Sequence, residues 1–370
     1  MDAMWVLGLV LGLLPLLIWV LRSFNEWRFC HSHLRSNNGG KLPPGHMGWP
    51  LIGELLEFLW YFKFIDKPDE FIWKRNAKYG DTGIYRTYLF GFPSVITCSP
   101  EANRFVMGTG TEDGSFTAGW PAPKLLGEKS VIMVEGLHHK RLRRALMDAI
   151  NRPRSLQHVF ISLQPAFKEA FENWSAKGTI NTGDEIRALG FSNICSLLLS
   201  FQRGPLLESM EMMYRGLLAG LRAQPINIPG TAFHYALKVI DEVIRLANVA
   251  HFMFRTVAKD TNFNGYKFPK GWKVIVWLRS IHVDPHYFKD PLKFNPDRWE
   301  GFVPSPGVYN VFGTGPRVCP GNNLVKMELF MLLHYICLDY KWELVNPNEA
   351  IKFLPNPRLA DGAKLKFSRI

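Results

Sequence analysis

Cys319 stands in the segment FGTGPRVCPG, Phe312 to Gly321, where three glycines, two prolines and one arginine surround a single cysteine. Glycines let a backbone pass close to a flat, bulky group, while Pro316 and Pro320 stiffen the loop. A long apolar run follows and predicts a helix, whose unpaired N–H groups and positive dipole end favour a thiolate just before it. Arg317 adds a cation nearby. The segment therefore predicts a deprotonated sulfur in fixed geometry, as a metal ligand requires.

The other cysteines narrow the choice of metal. Cys30, Cys98, Cys195 and Cys337 are widely spaced, and we interpret them as small buried hydrophobic residues. No second cysteine or histidine stands near Cys319 at ligand spacing, so neither zinc nor an iron–sulfur cluster fits. A haem iron held by one axial thiolate does fit this pattern.

The loop carries a family resemblance. FGTGPRVCPG matches the FxxGxRxCxG ligand loop of the cytochrome P450 family at all five fixed positions, and the chain resembles that family. Glu242 and Arg245 in EVIR resemble its ExxR pair, and Arg298 in FNPDRW resembles the third partner. Without the resemblance, Glu242 and Arg245 would be an ordinary surface pair on a helix. The resemblance implies that these three side chains form a buried charge network with a structural role.

The resemblance also implies a set of haem-binding residues. Haem has two propionates and needs cations near its edge, and Arg143 stands where the family has the arginine of WxxxR, with His139 at the tryptophan position. Arg255 matches the arginine of the first extended segment after ExxR, and Arg317 is the third cation. The residues expected to bind haem are Cys319, Arg317, Phe312, Gly313, Arg143, His139 and Arg255.

Two further stretches indicate a subfamily. AGWPAPKLLGEKSVIMVEGLHHKRLRR and AQPINIPGTAFHYALK resemble the plant ent-kaurenoic acid oxidases of gibberellin biosynthesis, whose close relatives act on triterpenes. The resemblance implies a haem b-dependent monooxygenase that oxidises a terpenoid, with ent-kaurenoic acid as the first candidate and a triterpene or sterol-type substrate as the alternative. It also implies NADPH as an indirect electron source, through NADPH–cytochrome P450 reductase as a partner.

One part of the family pattern is absent. The acid–threonine motif of the distal helix, A/G-G-x-D/E-T-T, occurs nowhere in the chain, so no catalytic residue is identified. The sequence passes at Lys238/Val239 directly into the ExxR helix, and the missing piece is on the order of a hundred residues. We interpret the chain as an alternatively spliced or mispredicted gene product. The alternative function is a catalytically inactive form that acts as a non-catalytic membrane or reductase-binding protein.

A third class of function is excluded by counting motifs. Asp81-Thr82-Gly83 is the only acid–Thr–Gly sequence in the chain. An aspartic protease needs two such aspartates that share a proton, so this chemistry is ruled out.

Composition and charge limit the partners. The chain has 370 residues, 47% of them hydrophobic, and a net charge of +12, which fits a globular protein with an anionic membrane or acidic protein as partner. Zinc-finger spacing and RNA-binding aromatic signatures are missing from the sequence, so we expect no nucleic acid partner. Lys140, Arg141 and Arg144 fit equally well a solvated helix face and a docking surface for a reductase.

The N-terminal run Met4 to Leu21 has no charge and is long enough to span a hydrocarbon core of ~30 Å. A cleaved signal peptide is the competing interpretation, but the chain has Asp2 instead of a basic start and no small-residue cleavage site. Arg22 and Arg28 follow the run, which predicts a single-pass anchor with the globular part in the cytosol. The expected location is the endoplasmic reticulum membrane or the plastid outer envelope.

The elements that must position these residues are mostly helical. We predict a mainly α fold with a smaller β portion, that is, an internally truncated haem-thiolate monooxygenase fold with an N-terminal transmembrane helix. Predicted elements include a hairpin around Phe90 to Pro93, helices from Gly136 and over residues 239–254, and a buried helix over residues 322–338. The predicted division is a membrane anchor over residues 1–22, a Pro/Gly-rich connector over 23–50 and one domain over 51–370.

Overall fold

The computed structural model describes residues 2–34, 40–119, 129–199, 232–353 and 357–370. Its helices, in chain order, are α1 Asp2–Leu34, α2 Leu55–Leu59, α3 Glu70–Tyr79, α4 Pro100–Met107, α5 Thr109–Glu112, α6 Gly136–Ile150, α7 Pro153–Lys177, α8 Thr182–Leu199, α9 Ala232–Ala247, α10 Arg279–His282 and α11 Asn322–Leu338. The strands are β1 Ile84–Leu89, β2 Phe92–Thr97, β3 Phe116–Ala118, β4 Thr179–Asn181, β5 Phe252–Val257, β6 Thr261–Phe263, β7 Tyr266–Phe268, β8 Lys273–Trp277, β9 Tyr340–Leu344, β10 Ile351–Lys352, β11 Arg358–Leu359 and β12 Lys364–Arg369. A π-helical turn, Trp60–Phe64, and the 3-10 turns Pro296–Trp299 and Gly315–Arg317 complete the set. The predicted helix-rich fold with a smaller β portion is confirmed.

The chain divides into two compact units where one domain was predicted over residues 51–370. Unit 1 consists of Met1–Glu135, Ala250–Pro291 and Pro304–Val318. Unit 2 consists of Gly136–Val249, Leu292–Val303 and Cys319–Ile370. Each unit has its own cluster of buried apolar side chains.

Unit 1 is built on a five-stranded sheet in the order β1-β2-β8-β5-β3. Its strands pair antiparallel except for β2 and β8, which are parallel. The predicted hairpin is confirmed: Phe90 and Gly91 both have positive φ angles, 54° and 84°, as the two-residue turn between β1 and β2 requires. The strand β5, which carries Arg255, pairs with β8 and β3, so its backbone is fixed from both sides.

The end of α1 packs on unit 1. The side chain of Asn25 donates hydrogen bonds to the carbonyl oxygens of Met47 and Trp49, at 3.1 and 2.6 Å, and Phe29 stacks on Tyr88. The helix α1 continues through the first part of the predicted connector as far as Leu34, because no glycine or proline stands between Arg22 and Leu34 to end it. The division of the chain at residue 22 stays a prediction.

The predicted membrane anchor is not confirmed. Among the described residues, no helix has both the length and the apolar character needed to cross a bilayer. The anchor over residues 1–22 therefore stays a prediction.

Unit 2 has α7 and α11 packed beside a three-stranded sheet in the order β4-β12-β9. Phe171 of α7 lies at the centre of an aromatic cluster with Trp174, Tyr335, Tyr340 and Phe367. The stacked and tilted rings bury a large apolar area, which is the dominant favourable term in the stability of such a unit.

Two helix predictions need correction. The helix predicted over residues 239–254 ends at Ala247, because Asn248 has a φ of 37° and the aromatic residues from Phe252 pair as β5. The helix α11 is buried on one side only, since Leu324 and Met331 are buried while Val325, next to Leu324, is exposed.

Candidate haem-thiolate site

Cys319 lies in unit 2, directly before α11, and is a free, half-buried cysteine. The side chain of Asn151 donates a hydrogen bond to the carbonyl oxygen of Pro320, which fixes the backbone after the cysteine. Gly321 caps α11, and a Cβ atom there would lie 4.0 Å from the sulfur of Cys319. The cysteine thus stands at the positive end of a long helix, where a thiolate is favoured.

The loop before Cys319 belongs to unit 1, and two of its glycines are required by the backbone. Gly313 has a φ of +74°, and a Cβ atom on it would lie 3.4 Å from the sulfur of Met253. Gly315 has a φ of +72°, and a Cβ atom on it would lie 2.2 Å from the carbonyl oxygen of Met107, a clash. Only glycine fits at Gly315 without a shift of the backbone.

Arg317 already has several partners within unit 1. Its two terminal nitrogens donate to the carbonyl oxygens of Ile132 and Val134, at 3.0 and 2.8 Å, and one of them lies 2.6 Å from the Glu135 carboxylate. In this arrangement the guanidinium holds the segment that leads into α6. Its predicted contact with a haem propionate stays a prediction.

Arg255 is a buried cation of unit 1 with unused hydrogen-bond donors. It is 4% exposed, and its Nη1 atom donates to the carbonyl oxygen of Phe254 at 2.9 Å. Its Nε and Nη2 atoms have no hydrogen-bond partner within the described part of the chain. Burial, and after it the charge of Arg317, lower the pKa of Arg255 to about 10. A buried cation with unused donors fits a carboxylate ligand such as a haem propionate.

The helix α6 carries the other two predicted haem contacts. His139 is buried and Arg143 half-buried, one helical turn apart on the same face. Lys140, Arg141 and Arg144 are all exposed. Exposure suits both a solvated face and a docking surface, so that choice stays open.

Glu242 lies at the centre of a buried charge network in unit 2. Glu242 and Arg245 are both fully buried and make two hydrogen bonds of 2.9 Å, while Arg298 donates to the same carboxylate at 2.9 Å. The backbone N–H of Asn295 and the indole N–H of Trp299 donate at 3.0 and 3.2 Å. Burial would raise the pKa of Glu242, but the hydrogen bonds from Arg245 and its neighbours outweigh it and lower that pKa. The structure thus brings together the three predicted residues and adds Asn295 and Trp299.

Glu328 was not singled out from the sequence. It lies on α11, where burial raises the pKa of its carboxyl to about 7, and the amide nitrogen of Asn193 lies 3.3 Å from it as the hydrogen-bond donor. It stands nine residues after Cys319, and the sequence shows no charge partner that would have indicated a role for it. Cys337, predicted to be buried, is exposed at the other end of α11.

The described part of the chain includes only some of the segments on which the subfamily was predicted. Residues 120–128 and 200–231 lie outside it, and so do parts of both quoted stretches. The predicted seam at Lys238/Val239 falls inside α9, which runs without a break from Ala232 to Ala247.

The comparisons with known proteins identify the fold and the family. A model of the family described as Cytochrome P450 matches residues 43–227 and 231–365. The chain belongs to the cytochrome P450 family. By family this P450 is a monooxygenase, an oxidoreductase, and the family implies a haem cofactor with a cysteine thiolate ligand.

The curated relatives place this P450 in the predicted subfamily. It is 30% identical to ent-kaurenoic acid oxidase 2 of Arabidopsis thaliana, over 99% of this chain and 98% of the relative. It is 28% identical to a 7,8-epoxymelianol synthase of Ailanthus altissima, over 100% of this chain and 98% of that protein. Homologues of this P450 thus act on terpenoids.

The lengths of these alignments agree with an internal absence. The match to the Arabidopsis relative runs over 488 residues although the P450 has 370, so more than a hundred positions of the alignment have no counterpart here. The two family-model segments meet between residues 227 and 231, upstream of the predicted seam.

A solved structure supports the fold alone. The retinoic acid-bound cyanobacterial CYP120A1 superimposes with a TM-score of 0.72 at 22% identity, covering 90% of this chain and 100% of that one.

Proposed function

We propose that this P450 oxidises a terpenoid with haem as its cofactor, and that its substrate is ent-kaurenoic acid in gibberellin biosynthesis. The observation that carries the proposal is the match to an ent-kaurenoic acid oxidase along 99% of the chain, with the cysteine loop included. The match to a 7,8-epoxymelianol synthase makes a triterpene substrate the alternative within the same class.

Four of the residues predicted to bind haem have a proposed task. Cys319 would hold the iron through its thiolate, with the N-terminal end of α11 stabilising the negative sulfur. Arg255 would donate its unused Nε and Nη2 hydrogens to a propionate, with Arg143 and Arg317 as the other cations. Haem, when bound, supplies the iron chemistry that splits dioxygen for insertion into a C–H bond.

The buried network around Glu242 has a bracing task. Three donors to Glu242, from Asn295, Arg298 and Trp299, fix α9 to the turn Pro296–Trp299, while Arg245 pairs with Glu242 within α9. The network therefore holds backbone and not substrate. We propose that it keeps unit 2 rigid around the cysteine ligand.

Partner and location follow from charge and family. Electrons would come from NADPH through a cytochrome P450 reductase that docks on the exposed cations Lys140, Arg141 and Arg144 by charge complementarity. We propose a site of action at the endoplasmic reticulum membrane or the plastid outer envelope, with α1 as the anchor and the globular part in the cytosol.

A second candidate function rests on the internal absence. More than a hundred alignment positions and the distal acid–threonine motif have no counterpart here, which favours a form that retains the haem loop without turnover. Such a form would bind reductase or membrane without oxidising a terpenoid.

Two measurements on the full chain distinguish these functions. A thiolate-type Soret band in the carbon monoxide difference spectrum of the reduced protein tests the haem site. Conversion of ent-kaurenoic acid with reductase and NADPH then tests the oxidase. A band without product favours the second candidate, and the absence of any band contradicts haem-thiolate ligation.

A further inference from the structure

Unit 1 has a cavity of about 510 Å³ beside the end of α1, and none of the residues predicted to bind haem lines it. Its lining comes from α1, from the segment between residues 46 and 57, and from α3. Four cations line it, Arg22, Lys74, Arg75 and Lys78, against two carboxylates, Glu54 and Glu57. The cavity therefore has an excess of positive charge.

Most of the charge on the floor of the cavity is neutralised within the protein. Arg75 lies 2.7 Å from the buried carboxylate of Glu54, and His46 lies 3.2 Å from the same group. Lys74 pairs with Glu57 at 3.0 Å. Both carboxylates thus have cationic partners, and neither is left to neutralise the two remaining cations.

Arg22 and Lys78 are those remaining cations. The Arg22 guanidinium lies 5.1 Å from the centre of the Trp49 ring, and the Lys78 ammonium lies 5.0 Å from that of Tyr79. Neither has a carboxylate within ion-pair distance among the described residues. An aromatic face holds a cation weakly, so both remain available to an anion.

Burial and charges of both signs act on the pKa of His46, which lines the cavity. Burial lowers the pKa of His46, and although Glu54 pulls it upward, Lys78 and Arg75 lower it further. The lining has four cations against two carboxylates, and that charge balance favours a ligand with negative charge.

Apolar surface adjoins the cavity, which selects an amphiphilic anion over a hydrophilic one. Leu56 lines the cavity and is 61% exposed, and Leu51 nearby is 76% exposed. On α1 the large apolar residues immediately before Arg22, from Leu13 to Leu21, are also exposed. Cations beside exposed aliphatic and aromatic side chains match a phosphate headgroup with acyl chains.

The geometry points to a binding site for the phosphate headgroup of an anionic membrane phospholipid in this cavity, with Arg22 and Lys78 as its ligands. The acyl chains of the lipid lie along Leu51 and Leu56. This site is separate from the oxidation chemistry and does not depend on the identity of the terpenoid.

The test compares vesicle binding by the full chain and two double variants. The probes are vesicles of four parts phosphatidylcholine to one part phosphatidic acid, and vesicles of phosphatidylcholine alone. R22Q/K78Q removes both proposed ligands, while R28Q/K63Q removes two exposed cations of unit 1 outside the cavity. Thermal unfolding checks that both variants fold.

We expect the native chain and R28Q/K63Q to prefer the phosphatidic acid vesicles, and R22Q/K78Q to lose that preference by about tenfold or more. Equal losses in the two double variants would reduce the effect to diffuse charge and overturn the site. Equal binding of the native chain to both kinds of vesicle would overturn it as well.

A competition arm separates a lipid headgroup from free phosphate. Inorganic phosphate, at a concentration equal to the lipid phosphate and at matched ionic strength, should leave the preference of the native chain unchanged. If inorganic phosphate alone abolishes the preference, the ligand is the free anion and the lipid assignment is wrong.

Discussion

Replacing Cys319 by serine removes the one thiol that the loop holds before α11, because a hydroxyl is not a thiolate donor. We expect Cys319→Ser to lose the thiolate-type Soret band of the reduced carbon monoxide complex while far-ultraviolet circular dichroism stays native. Cys337→Ser, at the exposed end of the same helix, is the matched control and should keep the band. A band of unchanged position and height in Cys319→Ser would exclude this cysteine as the ligand.

Arg255 is a buried cation with hydrogen-bond donors that no described residue uses. Its removal should therefore affect haem binding more than folding. We expect Arg255→Leu to weaken haem binding about tenfold or more, as the loss of charge-assisted hydrogen bonds implies, and not to lower the melting temperature of the haem-free protein. Titration with haem and a thermal melt measure the two effects.

Arg279 provides the contrast for Arg255. It is also buried, but it pairs with Asp69 through hydrogen bonds of 2.6 and 2.9 Å. Arg279→Leu should therefore lower the melting temperature strongly, because it leaves a buried carboxylate unpaired. Similar melting temperatures for both leucine variants would contradict the assignment of Arg255 as a residue without an anion.

At the residue scale, the sequence predicted side chains better than their partners. The resemblance to the family's ExxR pair and its third partner implied that Glu242, Arg245 and Arg298 form one cluster, and the structure brings them into contact. The backbone N–H of Asn295 was not predictable, since every residue has one and only the fold aims it. For the same reason nothing in the sequence indicated the carbonyl oxygens that accept from Arg317.

Removing the carboxylate of Glu242 tests how α9 is fixed to the turn Pro296–Trp299. Glu242→Ala leaves two guanidinium groups in or near the core of unit 2 without their carboxylate, so we expect a loss of about 3–5 kcal/mol in the free energy of unfolding in urea. Glu343→Ala, on the exposed strand β9, removes a surface pair with Lys366 and should cost about 1 kcal/mol or less. Equal losses would show that the network does not brace the unit.

Glu328 on α11 makes stability depend on pH. Its folded-state pKa of about 7 lies above the ordinary 4.5, so the folded protein binds the proton more tightly than the unfolded chain. Stability from this group is fully present below 4.5 and is lost as the pH rises toward about 7, with a total on the order of 3 kcal/mol.

Glu328→Gln removes this dependence, and urea unfolding across that pH window measures it. We expect the variant to lose less stability than the native chain between the two pKa values, since glutamine has no proton to release. Glu172→Gln, at an exposed position of α7, should keep the native slope. A native slope in Glu328→Gln would assign the dependence to other groups.

At the scale of elements, the structure differs from the sequence-based predictions in where helices and strands begin and end. The helix α1 continues to Leu34 because no glycine or proline in Arg22–Leu34 stops it, so it runs past residue 22, where the division of the chain is predicted. The strand β5 was predicted as the end of a helix because Phe252 and Phe254 suit both structures. Pairing with β8, a contact distant in sequence, decides between them.

At the scale of the whole molecule, more than a hundred positions of the alignment with a relative have no counterpart in this chain. We therefore predict that supplying them raises turnover. An insert between residues 227 and 231 that carries the family's acid–threonine motif, A/G-G-x-D/E-T-T, within the corresponding segment of the Arabidopsis oxidase should raise the rate of ent-kaurenoic acid oxidation about 100-fold. Product formation with reductase and NADPH is the measurement. The same insert with the threonine replaced by alanine is the control, and an unchanged rate in both would exclude the absence as the cause.

The hydrogen bonds of Asn25 have a practical consequence for shortened versions of the protein. Because its amide holds Met47 and Trp49, and Phe29 covers Tyr88, residues 25–30 are part of the globular body and not a detachable leader. A soluble version made for expression should therefore start at Arg22 or earlier. One that starts at Gly40 would expose the ring of Tyr88 and leave the Met47 and Trp49 carbonyls to water, and we expect it to be cut rapidly by trypsin near Arg86.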